Sequence, residues 1–320
     1  MKAVVVSEYG EPDVLRLVDV PEPHAGPGQL RMRVHATTVN PSDIMLRVGS
    51  VASMDGRHVG SRFSPGSEAA GVVDEIGPGT ETDLRVGDRV MAFVIPFMPS
   101  GGAYAQYLVL DPRQVTAAPA GSSHAEAVTI PLNGMTAQQA IDLLSMAEGD
   151  WLAVTGSAGS VGGYTVQLAK AAGLRVVADA APADEELVRS LGADRVVARG
   201  PGVAERVREA VPGGVPGLVD CALLGREILP AIRAGGQVVM GQRAGLPGAP
   251  ELGDPGDITV HAVYVMDWIY EHDKLDSLRA HAEKGELTMR VAAEYPAAEA
   301  AAAHRRFEAG GVRGRLVLTF

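Results

Sequence analysis

The stretch VTGSAGSVGGYTVQLAKAAG, residues 154–173, restricts the possible folds of this chain more than any other. An apolar run, WLAVT at 151–155, leads into it, and glycines at 156, 159 and 162 separate that run from a segment with helical spacing. A strand that turns through glycines into a helix aims free amide N–H groups and the positive end of the helix dipole at one point, where missing side chains let an anion approach. A second apolar run, RVVAD, ends at Asp179, seventeen residues after Gly162. A carboxylate after the second strand of such a unit accepts hydrogen bonds from a ribose. A lone GxxGxxG in a chain with 39 glycines is a common turn, but this context predicts a dinucleotide-binding loop over Gly156, Ser157, Ala158, Gly159, Ser160, Val161 and Gly162.

The surrounding pattern extends the prediction. From Trp151 the strand-like runs WLAVT, RVVAD, RVVA, GLVDCAL, QVVMG and DITVHAVYVM alternate with the helix-like runs VGGYTVQLAKAA, DEELVRSLG, GVAERVREAV and REILPAIRA. Six strands with four intervening helices predict an α/β, doubly wound, parallel six-stranded sheet. Residues 1–122 have a different texture, with short runs broken by proline and glycine. In QLRMRVHA, Leu30, Met32, Val34 and Ala36 alternate with Arg31, Arg33 and His35, the period of a half-buried strand. The expected organisation is a β-rich domain over 1–122, a nucleotide-binding domain over 123–262 opened by the Ser123/Glu126 capping box, and a return segment over 263–320. That last segment carries two helical runs, LDSLRAHAEKG and AAEAAAAHRRFEAG, and the strand RLVLTF, which are expected to rejoin the β-rich domain.

Composition removes several function classes. The 39 acidic residues outnumber the 28 basic ones and give a net charge of −11, so no broad basic surface is available to a nucleic acid backbone. A single cysteine, Cys221, excludes an internal disulfide and any multi-thiolate metal site. The opening MKAVVVSEYGEPD has too short an apolar run for a signal peptide, and no stretch of about 20 apolar residues is present to cross a bilayer. A cytoplasmic protein without nucleic acid or membrane partners is expected.

The run GSAGSVGGYTVQLAKAAGLRVV, with LGAD at 191–194, resembles the zinc-independent quinone oxidoreductases and enoyl reductases of the medium-chain dehydrogenase/reductase superfamily. Further matching stretches are NPSD at 40–43, PGSEAAGVV at 65–73, GDRV at 87–90, GGAYAQY at 101–107, GMTA at 134–137 and GGVRGRLVL at 310–318. The resemblance implies a GroES-like catalytic domain interrupted by a Rossmann domain, and NAD(P)H-dependent reduction of a quinone or an α,β-unsaturated carbonyl compound. It implies that Asn40, Asp43 and Thr136 lie near the nicotinamide, with Asn40 and Thr136 positioning its carboxamide or ribose and Asp43 bracing them. It adds Gly241 to the cofactor-binding residues, and Met45, Phe93, Phe97, Met98 and Met266 as an apolar substrate lining. NADP(H) is the cofactor implied. NAD(H) remains open, because Asp179, Asp184, Glu185 and Glu186 stand where a basic residue would meet the 2′-phosphate. A homodimer paired through the apolar final strand ITVHAVYVM is also expected.

Zinc-dependent members of that superfamily carry a cysteine where this chain has Asn40 or Pro41 and a histidine where it has Ser67, so no catalytic zinc is expected. The histidines at 24, 35, 58, 124, 261, 272, 281 and 304 show neither HxH nor HExxH spacing. Three other constellations carry less. Tyr270 and Lys274 have the YxxxK spacing of short-chain dehydrogenases, but in those the glycine loop opens the chain, whereas here about 150 residues precede it. Cys221 lies in an apolar run as a packing thiol would, and neither Ser67 nor Ser157 has the G-x-S-x-G spacing. The alternative to an enzyme is a non-catalytic dinucleotide-binding protein of the same fold.

Overall fold

Residues 1–50, 63–241 and 249–320 are described in the computed structural model, and the chain divides into two units. The first comprises Met1–Leu132, Met266–Glu283 and Met289–Phe320; the second comprises Asn133–Val265 and Lys284–Thr288. Val51 and His58 lie outside the described residues.

In the first unit, proline- and glycine-punctuated runs form β1 (Lys2–Val5), β2 (Arg16–Asp19), β3 (Leu30–Thr38), helix α1 (Pro41–Arg47), β4 (Glu68–Ile76), β5 (Arg89–Phe93), β6 (Tyr107–Leu110), β7 (Val115–Ala117) and helix α2 (His124–Ala127). The alternation in β3 buries Leu30, Met32 and Val34 against Val73, Val90, Leu108 and Leu110. Arg33 is left exposed on the opposite face.

Helix α3 (Pro131–Asp142) leads into the second unit, which contains β8 (Trp151–Thr155), α4 (Ser160–Ala171), β9 (Arg175–Ala180), α5 (Glu185–Ser190), β10 (Arg195–Ala198), α6 (Val203–Ala210), β11 (Val215–Asp220), β12 (Ile232–Met240) and β13 (Thr259–Ala262). These six strands form one sheet in the order β10-β9-β8-β11-β12-β13, parallel at every pairing. Its two faces bury separate cores, one around Leu152, Val154, Val176 and Val219, the other around Ala153, Val177, Leu218 and Val238. Helix α7 (His272–Glu283), β14 (Val291–Pro296), α8 (Ala300–Glu308) and β15 (Arg315–Thr319) complete the chain. The first unit's large sheet runs β14-β15-β3-β4-β5-β7, with β6 also pairing β3.

Three details differ from the sequence expectation. The helical spacing of REILPAIRA yields two short 3₁₀ turns, Gly225–Glu227 and Leu229–Ala231, because Pro230 has no N–H to donate to an α-helical ladder. The final strand of the sheet stops at Ala262, and the residues Val265–Trp268 form a 3₁₀ turn. The division after Leu132 falls ten residues later than a boundary at residue 122, because α2 packs on β3 and β4 and the Leu132 N–H donates to Glu68 Oε2 at 2.8 Å.

Candidate functional site

In the second unit the glycine loop joins the carboxyl end of β8 to the amino end of α4, with Gly159 as the residue preceding the helix. Gly156 has φ +65°, and a Cβ there would come within 3.1 Å of the Ala222 nitrogen. A Cβ on Gly162 would meet the Gly156 carbonyl oxygen at 2.4 Å, and the Gly159 N–H donates to that same oxygen at 2.9 Å. The backbone therefore closes on itself at a spacing that only glycine permits. The loop leads into the amino end of a twelve-residue helix, whose positive dipole end suits a pyrophosphate. The glycine loop fits a dinucleotide.

Asp179 is near the end of β9 and only 6% exposed. The Ser157 N–H donates to its Oδ1 at 3.3 Å, and the Ser157 hydroxyl donates to its backbone carbonyl. Asp179 thus braces the glycine loop through Ser157. Burial raises its proton affinity, the Ser157 and Gly156 N–H groups oppose that, and the charge of Arg199 lowers it further. Arg199 follows β10 and is exposed. Gly241 follows β12, and its N–H donates to the Asp220 carbonyl at 3.1 Å. Asp220, which spacing did not single out, organises the next loop: its carboxylate accepts from Thr155 Oγ1 at 2.6 Å and from the Gly225 N–H at 2.9 Å. Loops at the carboxyl ends of β8, β9, β11 and β12 are where open parallel sheets bind ligands.

In the first unit the NPSD stretch turns from β3 into α1, and a buried polar cluster surrounds it. Arg315 on β15 donates through one terminal nitrogen to Glu68 Oε1 at 2.7 Å, to Asn40 Oδ1 at 2.5 Å and to Thr38 Oγ1 at 2.5 Å. Asn40 Nδ2 donates to Thr38 Oγ1 and to Glu68 Oε1, both at 3.2 Å, and the Thr38 hydroxyl donates to Glu68 Oε1. The Glu68 and Arg315 side chains are 0% and 5% exposed, a fully desolvated ion pair. The Asn40 amide is committed within this cluster and holds the turn in place.

Asp43 extends the polar region inward. Its Oδ2 accepts from the Asn40 N–H and its Oδ1 from the Gly66 N–H, each at 2.8 Å. The Tyr104 hydroxyl lies 3.5 Å from Oδ2 and 3.0 Å from His304 Nε2. Arg47 reaches His304 Nδ1 at 3.5 Å and pairs with Glu308 at 2.5 Å. Asp43, Arg47, Tyr104 and His304 are all 0% exposed. Burial pushes Asp43 up to about 7 and nearby Glu68 adds to the rise, while the Gly66 and Asn40 N–H groups and Arg315 pull it back. Burial drives His304 down to about 3, with Arg47 adding to the fall, so its imidazole is neutral. The missed residues Glu68, Tyr104, His304 and Arg315 carried one readable signal. Glu68 and Arg315 are charges at the edges of the apolar runs EAAGVV and LVL, where a strand with both faces buried calls for a partner.

The remaining sequence candidates lie on several elements of the two units. Thr136 lies within α3, six residues from the Asp142 that ends it. Phe93 ends β5 at 1% exposure; Met45 is on α1, Met266 is in the 3₁₀ turn Val265–Trp268, and Phe97 and Met98 follow β5 in a turn. Burial, reinforced by Asp220, pushes the Cys221 thiol up to about 12, which leaves no thiolate for nucleophilic chemistry. Tyr270 stacks under Arg113, and Lys274 lies over Trp268, so the YxxxK pair is divided between two aromatic contacts. His35 and His124 stack with centroids 4.7 Å apart. Among the described residues, no group of three or more His, Cys, Asp or Glu side chains is arranged to hold a metal ion, and no helix is long and apolar enough to cross a membrane.

The chain thus combines a glycine loop opening a helix on a six-stranded parallel sheet in one unit with a β-rich body in the other. The family model of the alcohol dehydrogenase GroES-like domain matches residues 26–120, and that of a zinc-binding dehydrogenase domain matches residues 191–318. Together they span more than half of the chain, which belongs to the medium-chain dehydrogenase/reductase superfamily of oxidoreductases. Among curated proteins, it is 28% identical over 308 residues to a mycocerosic acid synthase-like polyketide synthase of Mycobacterium tuberculosis, covering 92% of this chain and 14% of that one. It is 29% identical over 247 residues to 2-methylene-furan-3-one reductase of Solanum lycopersicum, covering 75% of this chain and 62% of that one. The chain therefore spans less than two thirds of either relative. Two solved structures match over their full length. A mycobacterial protein complexed with NADPH has a TM-score of 0.85 and 27% identity, with 100% of both chains covered. The quinone oxidoreductase of Coxiella burnetii has a TM-score of 0.84 and 25% identity, with 100% of this chain and 99% of that one covered.

Proposed function

We propose that the chain is an NAD(P)H-dependent oxidoreductase that reduces a quinone or an α,β-unsaturated carbonyl compound without zinc. The observation that carries this reading is the glycine loop, where Gly156 and Gly162 bring backbone amides and the α4 amino end together with no side chain between them. Bound there, the cofactor supplies a hydride. The chain's own contributions are separate. The amino end of α4 holds the pyrophosphate, and Arg199, whose charge already acts on Asp179, offers the 2′-phosphate a cation that Asp184, Glu185 and Glu186 do not. Discrimination between NADPH and NADH is accordingly below about 100-fold, roughly 2.7 kcal/mol. Asn40, Asp43 and Thr136 stand beside the nicotinamide, as the superfamily resemblance implies.

Zinc independence is supported by the donor set. Asn40, Pro41 and Ser67 occupy the positions of the thiolate and imidazole ligands, and the neighbouring Glu68 carboxylate is neutralised by Arg315. Without a Lewis acid to polarise an alcohol, reduction of an already polarised double bond is favoured. The name of the tomato relative describes such a substrate, a carbonyl conjugated to a methylene group. No tyrosine occurs in NPSDIMLRVGS and Tyr104 is fully buried, and solvent water is the proton source in this reading. A homodimer forms through β13, the edge of the six-stranded sheet, where Val260 is 37% exposed; light scattering at the 33.2 kDa monomer mass would count against it.

The test is loss of reduced-cofactor absorbance with 1,2-naphthoquinone and with a simple enone, alongside elemental analysis. Turnover with one of the two classes in metal-free protein is expected. Cofactor binding without turnover on either class would leave a binding-only protein, and stoichiometric zinc would remove the metal-free reading.

A further inference from the structure

The contacts from Glu308 inward form a single line. Glu308 on α8 is partly exposed and holds Arg47; Arg47 on α1 donates toward His304 Nδ1, at 3.5 Å. Because that nitrogen faces a guanidinium, the neutral ring carries its hydrogen on Nε2 and donates it to the Tyr104 oxygen, 3.0 Å away. The Tyr104 hydrogen is then free to point at Asp43 Oδ2. Each link fixes the direction of the next, and the line ends on a carboxylate that bridges two backbone N–H groups, Asn40 and Gly66.

That bridge has a specific mechanical effect. Asn40 precedes α1 and Gly66 precedes β4, so the carboxylate ties the NPSD turn to the PGSE turn. Gly66 has φ +105°, and a Cβ on it would meet Tyr104 at 2.6 Å, so the two turns and the tyrosine are packed with no slack. An ionised carboxylate accepts both N–H groups; a protonated one retains a single good acceptor and must place its new hydrogen. We propose that Tyr104 and His304 are positioning residues of the site: their oriented hydrogen bonds favour the acceptor form of Asp43, which holds Asn40 and its turn in the working position. The charged and titratable groups around Asp43 are Glu68 from β4, Arg315 from β15, Arg47 from its own helix, Tyr104 from the segment before β6 and His304 from α8. Glu68 opposes ionisation and Arg315 favours it, and Tyr104 is the hydroxyl among them that donates to the carboxylate itself.

This inference rests on the proposed oxidoreductase reading only where it concerns turnover, so the experiment has two readouts. The first needs no substrate: the pH midpoint of the Asp43 carboxyl signal in ¹³C-aspartate-labelled protein, identified by its absence in Asp43→Asn. The second is the acid limb of kcat/KM. Removing the Tyr104 hydroxyl in Tyr104→Phe raises the midpoint and moves the acid limb the same way by at least about 0.5 pH unit, a threefold change in proton affinity. His304→Leu shifts both in the same direction. His304→Gln behaves as wild type, since its amide oxygen accepts from Arg47 and its NH₂ group donates to Tyr104. A purely packing role would lower thermal stability in these variants and leave the midpoint where it was. Unmoved midpoints in folded Tyr104→Phe and His304→Leu overturn the inference; a shifted midpoint in a protein with no turnover leaves it standing and removes the oxidoreductase reading instead.

Discussion

Replacing Glu68 by glutamine keeps the shape of the side chain and removes its charge. The carboxylate is 0% exposed, and the groups that donate to it include Arg315 at 2.7 Å, Asn40 Nδ2 at 3.2 Å, the Thr38 hydroxyl and the Leu132 N–H at 2.8 Å. In Glu68→Gln the guanidinium stays behind, 5% exposed, with its Nε already lacking a partner, and an NH₂ group must face one of the former donors. Breaking one side of a buried pair costs about 3–5 kcal/mol, whereas replacing both sides with apolar groups is often nearly neutral. For a body of this size, about 2–4 °C per kcal/mol converts that cost into a fall in Tm of roughly 6–20 °C. Calorimetry at neutral pH on Glu68→Gln, Arg315→Met and the double variant gives a double-mutant cycle. The expected coupling is at least about 2 kcal/mol, with the double variant more stable than either single one. A Glu68→Gln protein within about 1 kcal/mol of wild type, or strictly additive effects, would show that solvent or another group supports Arg315 and would refute the reasoning.

Gly162→Ala sets two effects against each other: helix propensity favours alanine by about 1 kcal/mol, but its Cβ would sit 2.4 Å from the Gly156 carbonyl. The backbone contact wins, and cofactor affinity in a fluorescence titration falls at least about tenfold, roughly 1.4 kcal/mol; unchanged affinity would mean the loop is not the cradle. Arg199→Ala weakens NADPH by about tenfold and leaves NADH unchanged, and an equal effect on both cofactors would place Arg199 elsewhere. The pH dependence of stability carries opposing contributions. Asp43, raised from 3.8 to about 7 in the fold, adds stability below 3.8 that is lost as pH rises through 7, whereas His304, lowered from 6.5 to about 3, adds stability above 6.5 that is lost as pH falls toward 3. Urea unfolding at pH 6 and pH 8 should therefore show a smaller loss on the alkaline side for Asp43→Asn than for wild type, and identical slopes would contradict the assignment.

The parts of the protein that could be read from sequence are those built from contiguous residues. The glycine loop, each of the six parallel strands and helices α4, α5 and α6 are short runs whose periodicity and turn residues lie next to one another. REILPAIRA misleads because its apolar spacing suits a helix and only Pro230 argues against one. The polar cluster was not legible for a different reason: Arg315 and Glu68 are 247 residues apart, and Tyr104 and His304 are 200 apart. Each lies in a stretch whose local pattern is that of a strand or helix, and their pairing is set by the order of β15, β3 and β4 in the sheet. Asp43 stands out in the sequence only as part of NPSD, and the groups it pairs with and the rise in its pKa depend on burial, which spacing does not encode. Likewise the Asp179–Ser157 contact, made at 6% exposure, depends on burial and on a loop 22 residues away in sequence.

The central claim, a hydride transferred from a nicotinamide cofactor without zinc, is tested most directly by isotope transfer. Purified protein, shown by elemental analysis to be free of metal, is incubated with an enone and NADPH deuterated at C4 on one face or the other, and the product is examined by mass spectrometry and NMR. One deuterium on the β-carbon of the saturated ketone from one of the two labelled cofactors, with the α-hydrogen coming from solvent, is the predicted result. A cofactor that binds and yields no labelled product with this enone, together with no oxidation by 1,2-naphthoquinone, or transfer that appears only on adding zinc, would contradict it.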